Sequence, residues 1–162
     1  MASSKKNGST KALPEVRNAK ARHDFSIEET LEAGIALCGT EVKSIRAGKC
    51  QIAGSFVRFE RGEPVLYNSH IEEYAFGNLN NHNPKRPRKL LLHGKEIRKL
   101  QAALEAGGCA LVPLKVYFKG GLVKVQIGLG RSKKNEDKRE DLRKRTALRE
   151  AERAIQAHRA RH

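Results

Sequence analysis

The sequence predicts a mainly β fold, a closed barrel of short strands with embedded helices, followed by a basic C-terminal tail that is disordered when free. Three observations carry this. Apolar and polar residues alternate through short stretches separated by Gly-containing turns, most clearly in Leu122-Val123-Lys124-Val125-Gln126-Ile127, the period-two signature of half-buried strands. One stretch before the tail has a clean helical period, with Ile97, Leu100 and Leu104 at i, i+3 and i+7 in HGKEIRKLQAALEAGG. From Arg131 to His162, twelve Lys/Arg stand against six Asp/Glu, and Leu142, Leu148 and Ile155 are the only sizeable apolar residues. Such a segment buries too little to offset its own ordering entropy.

Taken in order, residues 1–12 are rich in Ser, Lys and Gly and are expected to be disordered. Residues 13–130 form the body. FSIEETLEAGIALCGTEV reads as two strands around a turn at Glu32-Ala33-Gly34, with Gly34 supplying the positive φ. Glu41 to Ala47 reads as a short helix ended by Gly48. SFVRFERGEPVLYNSHI reads as a hairpin turning at Arg61-Gly62, with Val65 to Ile71 as the return strand. Asn, Gly and Pro block regular structure from Tyr74 to Pro87. The amphipathic helix follows, holding Lys95, Arg98 and Lys99 outward and stopping at Gly107-Gly108. ALVPLKVYFKGGLVKVQIGLG closes the body as a hairpin turning at Gly120-Gly121. Short strands around such a helix, with basic loops, fit a small barrel of the oligonucleotide-binding type, although a sandwich gives the same strand pattern. Residues 131–162 form the tail. GLGRSKKNEDKR reads as a flexible hinge, and good helix formers begin at Asp137. Leu148, Ala151 and Ile155 share one helical face, and Arg149 and Arg153 line a basic stripe. A lone helix of this size is marginal in water, so the tail is expected to be coil in solution and helical on a polyanion.

At 162 residues the chain suits one domain plus tails. Its net charge of +15 attracts phosphate backbones and implies salt-sensitive binding. No run is long enough for a membrane helix, the polar N-terminus lacks a signal-peptide apolar stretch, and no basic helix carries a bulky apolar face. Cys38, Cys50 and Cys109 are odd in number and form no CxxC pair, so they read as free thiols in a reducing cytoplasm and not as a zinc site. No metalloprotease, paired-cysteine or nucleophile-elbow motif is present, which argues against catalysis. A magnesium-dependent RNA cleavage would require Glu28, Glu29, Glu32 and Glu41 to gather.

Positive charge clusters at Arg17, Lys20 and Arg22, again at Lys85, Arg86, Arg88 and Lys89, and in the tail. Three clusters in so small a chain favour an RNA-contacting surface over a merely solvated one. His23-Asp24 reads as structural, because adjacent residues on a strand point to opposite faces.

Four stretches are specific enough to name a family: NAKARHDFSIEETLEAGIALCGTEVKSIRAGK, NPKRPRKLLLHGKEIRKL, LVPLKVYFKGGLVKVQIGLGRSKK and DKREDLRKR. In order and spacing they resemble the SsrA-binding proteins (small protein B) of bacterial trans-translation. The resemblance implies an oligonucleotide-binding-like barrel that binds the tRNA-like domain of transfer-messenger RNA (tmRNA) and needs neither cofactor nor metal. It implies delivery of alanyl-tmRNA with elongation factor Tu to stalled ribosomes. There the tail replaces the codon–anticodon interaction in the decoding centre and enters the empty mRNA channel. It places Asn18, Ala21, His23, Glu32, Lys89 and Leu91 on the RNA-facing surface, joined by the cations Arg22, Arg86 and Arg88. A carboxylate at Glu32 accepts from a 2′-hydroxyl or a guanine edge, or orients a neighbouring Arg, unless it merely caps the turn at Gly34. In Leu90-Leu91-Leu92 at least one side chain must face inward. The ribosome-contacting tail comprises Lys133, Lys134, Glu136, Asp137, Lys138, Arg139, Arg143, Lys144 and Arg145. One departure stands out: Glu136 occupies a position where family members commonly carry an aromatic residue or histidine able to stack on a decoding-centre base. Here neighbouring Asn135 is left to supply a hydrogen bond.

Overall fold

A computed structural model describes residues 12–160. The segment expected to be disordered, residues 1–12, lies outside the described residues except for Ala12. The chain runs β1 (Val16–Arg17), α1 (Ala19–Asp24), β2 (Phe25–Ile35), α2 (Gly39–Arg46), β3 (Cys50–Gln51), β4 (Phe56–Glu60), β5 (Glu63–Tyr67) and β6 (His70–Ile71). A single 3-10 turn at Asn78–Asn80 leads to β7 (Arg88–Leu91), α3 (Gly94–Glu105), β8 (Ala110–Lys119), β9 (Leu122–Ser132) and α4 (Asn135–Arg159).

Six strands close into a ring. Antiparallel pairing runs β8-β4-β5-β7-β2-β9, and β9 returns to β8, so the barrel leaves no long free edge. β1 pairs with the later part of β8 through Val16 and Val116, and β3 with β6 forms a separate two-stranded ribbon. Alternation fills the interior. Ala33, Leu66, Leu90, Leu111, Val125 and Ile127 are all buried, and α3 adds Leu100, while Lys95, Arg98 and Lys99 stay exposed on its far side. The β4–β5 hairpin turns through Arg61 and Gly62 with both φ angles positive (49° and 77°), the geometry whose twist matches the flanking strands. Gly120 and Gly121 do the same between β8 and β9. The three cysteines are unpaired, and burial pushes the Cys50 thiol up to about 11.

Three readings are corrected. Phe25–Ile35 is one strand of 11 residues with no turn at Glu32-Ala33-Gly34. Gly34 pairs with both Leu91 and Lys124, and a Cβ there would lie 3.2 Å from the Cβ of Leu91. Its missing side chain therefore serves close strand approach. The hinge begins later than expected. β9 runs through Ser132, which pairs with Phe25, and Arg131 pairs with Ser26, so barrel gives way to tail after Ser132. Finally α1, six residues long, stands where only the start of the body was expected. The tail itself is a helix of 25 residues beginning at Asn135, and none of its side chains is buried.

Candidate nucleic-acid interface

Strand alternation sorts the expected cations on β7. Arg88 and Leu90 point inward, whereas Lys89 and Leu91 point out. Arg88 is fully buried. Its Nε donates to Glu41 Oε1 at 2.8 Å, and its Nη1 donates to Ser69 Oγ at 2.9 Å and to the Arg86 carbonyl at 3.0 Å. Glu41, also fully buried, accepts from Arg86 Nη2 at 2.6 Å and Nε at 2.8 Å, and from the Cys38 amide at 2.9 Å. Burial alone would raise the Glu41 carboxyl, but the bonds from Arg86, the Cys38 amide and Arg88 together hold it below its ordinary value. Arg88, expected at an RNA surface, is thus an internal ion-pair residue of this fold. Arg86 is committed to the same carboxylate with its side chain 31% exposed.

Glu32 and Leu91 do meet on one outer face. β7 and β9 flank β2, so Glu32, Leu91, His93, Glu96 and Lys124 line a concave cavity of about 310 Å³. Leu91 is 53% exposed while Leu90 is buried, which settles which leucine faces inward. Glu32 caps no turn: it accepts from the Tyr117 hydroxyl and from Lys119 Nζ at 3.2 and 3.3 Å. The Tyr117 bond, then Lys119, lowers its carboxyl pKa. Burial, with the Glu32 bond, pushes the Tyr117 hydroxyl up to about 12. Lys89 lies exposed on the same outer face, paired with Glu63 at 2.6 Å.

The other expected residues gather at the far end of β2, about 26 Å away along the strand. Asn18 caps α1 by accepting from the Ala21 amide at 3.2 Å, and its Nδ2 donates to the carbonyls of Ile52 (3.2 Å) and Pro113 (3.0 Å). Asn18 is buried, and Ala21 packs on Val112 and Leu114. Both are corrected from surface contacts to residues that seat α1 and so present exposed Arg22 and half-buried His23. His23 and Asp24 end a helix, so the opposite-face argument does not hold, and His23 Nδ1 lies 3.1 Å from Asp24 Oδ1. Asp24 then anchors the tail. Its carbonyl accepts from the Lys133 amide at 2.9 Å, and its carboxylate lies 3.5 Å from Lys138 Nζ. The His23 bond leads in lowering its pKa. Lys133 Nζ also reaches the Arg22 carbonyl at 3.3 Å and pairs with Asp141. Past this root Lys134, Glu136, Asp137, Arg139, Arg143, Lys144 and Arg145 are exposed. Glu136 and Asp137 sit in the first turn of α4, where the helix dipole favours carboxylates.

Sequence reasoning did not find Asp24, Tyr117, Lys119 or Lys124 as site residues. Tyr117 and Lys119 share one face of β8 by period two, the signal that places them beside Glu32. The four glutamates do not gather. Glu28 pairs with Arg131 at 2.9 Å, Glu29 with Lys99 at 2.7 Å, Glu32 with Lys119, and Glu41 is buried. Among the described residues, no group of three or more His, Cys, Asp or Glu is placed to hold a metal ion, and no helix is long and apolar enough to cross a membrane.

A closed antiparallel barrel with a basic exterior, an open concave face and an exposed basic helix is the architecture of a nucleic-acid-binding module. The chain belongs to the SmpB family, whose model, described as "SmpB protein", matches residues 15–157. It is 60% identical over 139 residues to the SsrA-binding protein of Shouchella clausii (strain KSM-K16), covering 86% of this chain and 89% of that protein. It is 55% identical over 148 residues to the SsrA-binding protein of Bacillus subtilis (strain 168), covering 91% and 94%. A solved chain described as "tmRNA-SmpB: a journey to the center of the bacterial ribosome" superposes with a TM-score of 0.64 at 52% identity, covering 80% of this chain and 95% of that one. The family is one of non-catalytic RNA-binding proteins.

Proposed function

We propose that this protein is the RNA-binding adaptor of trans-translation. The barrel grips the tRNA-like domain of tmRNA, using the Glu32–Leu91–Lys89 face and the cations around α1. Elongation factor Tu carries the alanyl-tmRNA complex to a stalled ribosome in the cytoplasm. The tail then occupies the decoding centre and the empty mRNA channel in place of codon and anticodon. The observation that carries this reading is the 25-residue α4 without one buried side chain. A helix that buries none of its side chains gains little from its own chain, so it is coil when free and takes its order from a partner. Lys133, Lys134, Asp137, Lys138 and Arg139 stand at the channel mouth, and Arg143, Lys144 and Arg145 follow them inward. Glu136 cannot stack on a base, so Asn135 makes the local contact by hydrogen bonding.

Lys89 tests the barrel half of this reading. Its ion pair with Glu63 is exposed on both sides and is worth little, so a phosphate displaces it readily. Lys89→Glu is expected to weaken binding to the tRNA-like domain and to make the salt dependence shallower by about one unit of log–log slope, as measured by titration at several salt concentrations. An unchanged slope would show that Lys89 does not meet phosphate.

A further inference from the structure

A second surface lies beside the Glu32–Leu91 face. On β4 the residues Phe56, Arg58 and Glu60 point outward, opposite Tyr67, Val65 and Glu63 of β5. The Phe56 and Tyr67 rings are stacked, with centroids 5.6 Å apart and planes inclined by 16°. The Arg58 guanidinium lies 5.3 Å from the Phe56 ring centre and 6.0 Å from that of Tyr67. Phe56 is 37% exposed although it occupies a strand of the barrel. Both carboxylates on this patch are engaged by groups other than Arg58: the Tyr67 hydroxyl donates to Glu60, and Lys89 holds Glu63. Arg58 has no carboxylate at ion-pair distance among the described residues.

From this arrangement we propose that Phe56, Tyr67 and Arg58 form a base-stacking site for single-stranded RNA, distinct from the tRNA-like grip. A stacked aromatic pair held on strands beside an unneutralised guanidinium matches an unpaired nucleobase and its flanking phosphate. A duplex hides its base faces, so the occupant is a single strand. The net charge of +15 favours a polyanion over an apolar protein partner. The surface is also continuous with the RNA-facing side, because Val65 pairs with Lys89 on β7. The inference rests on the chain acting on RNA, and it adds a second contact on the body.

The test uses the full chain and a uridine hexanucleotide carrying one 2-aminopurine, with affinity for the tRNA-like domain of tmRNA measured on the same samples. Binding is expected to quench the 2-aminopurine. Phe56→Leu and Tyr67→Leu should each weaken hexanucleotide binding roughly fivefold or more, Tyr67→Phe should preserve it, and Arg58→Gln should make its salt slope shallower by about one. Each variant should keep its affinity for the tRNA-like domain, which also shows that it folds. Hexanucleotide binding without quenching, or Leu variants that bind like the parent chain, would overturn the stacking site while leaving the adaptor reading standing. Failure of the unmodified chain to bind the tRNA-like domain would sink the adaptor reading instead.

Discussion

Replacing Glu41 by Gln is expected to destabilise the folded chain by about 3–5 kcal/mol, the range for removing one partner of a buried ion pair. The cause is specific. Glu41 carries the negative charge that Arg88 meets in the interior, and the guanidinium has no route to water. Ser69, Arg86 and Pro84 satisfy its donors with neutral oxygens, but they do not compensate its charge. Urea unfolding measures the difference, and a loss below about 1 kcal/mol would contradict it, since that is the scale of an exposed pair. Combining Glu41→Gln with Arg88→Met should recover much of the loss, because a neutral amide beside a thioether leaves no unpaired charge in the interior, and Arg86, 31% exposed, keeps access to water. The pH dependence has a definite sign. The folded carboxyl titrates below its ordinary value of 4.5, so its contribution is complete above that value and disappears as pH falls through the lower folded value. The stability gap between the parent chain and Glu41→Gln should therefore be widest near neutral pH and should narrow below about pH 4.5.

Ending the chain after Ser132 is expected to abolish rescue of stalled ribosomes while leaving the barrel folded and its affinity for the tRNA-like domain largely intact. Among the described residues, hydrogen bonds and an ion pair join the tail root to the body at Arg22 and Asp24. They are Lys133 to the Asp24 and Arg22 carbonyls and Lys138 to the Asp24 carboxylate. Such partly exposed contacts are worth little to stability, and α4 removes no apolar side chain from water. The unfolding midpoint of the truncated chain should thus stay close to that of the parent. A collapse in tRNA-like affinity equal to the collapse in rescue would show that the tail grips the RNA itself. In the intact free chain, amide hydrogens between Leu142 and Ile155 should exchange almost as fast as in an unstructured peptide, and slow exchange there would contradict a tail that waits for its partner.

Much of the barrel is legible in the sequence, because each strand with one buried face announces itself by alternation. Leu122 to Ile127 shows this, and so does the helix through Ile97, Leu100 and Leu104. Paired turn glycines and Arg61-Gly62 mark the hairpins for the same local reason. The errors arise where a residue answers to a partner far along the chain. Gly34 looks like a turn residue until Leu91 is placed 3.2 Å from where its Cβ would be. Arg88 and Lys89 look like one basic patch, although consecutive strand residues must part company. Which of them turns inward depends on Glu41, 47 positions away. The resemblance alone places Asn18 and Ala21 on the RNA-facing surface, and the six-residue helix they seat is too short to show a period that would turn them inward. The anchoring role of Asp24 is invisible for a different reason: its partners Lys133 and Lys138 lie more than a hundred residues downstream and meet it only once β9 has aligned with β2.

The most direct measurement is recovery of the RNA that the full chain binds in cells, sequenced without preselection. If a barrel face selects one structured RNA, tmRNA should be enriched far above its share of cellular RNA, with bulk tRNA left near background. Recovery of tRNA and ribosomal RNA in proportion to their abundance, with no excess of tmRNA, would mean that the positive charge alone does the binding.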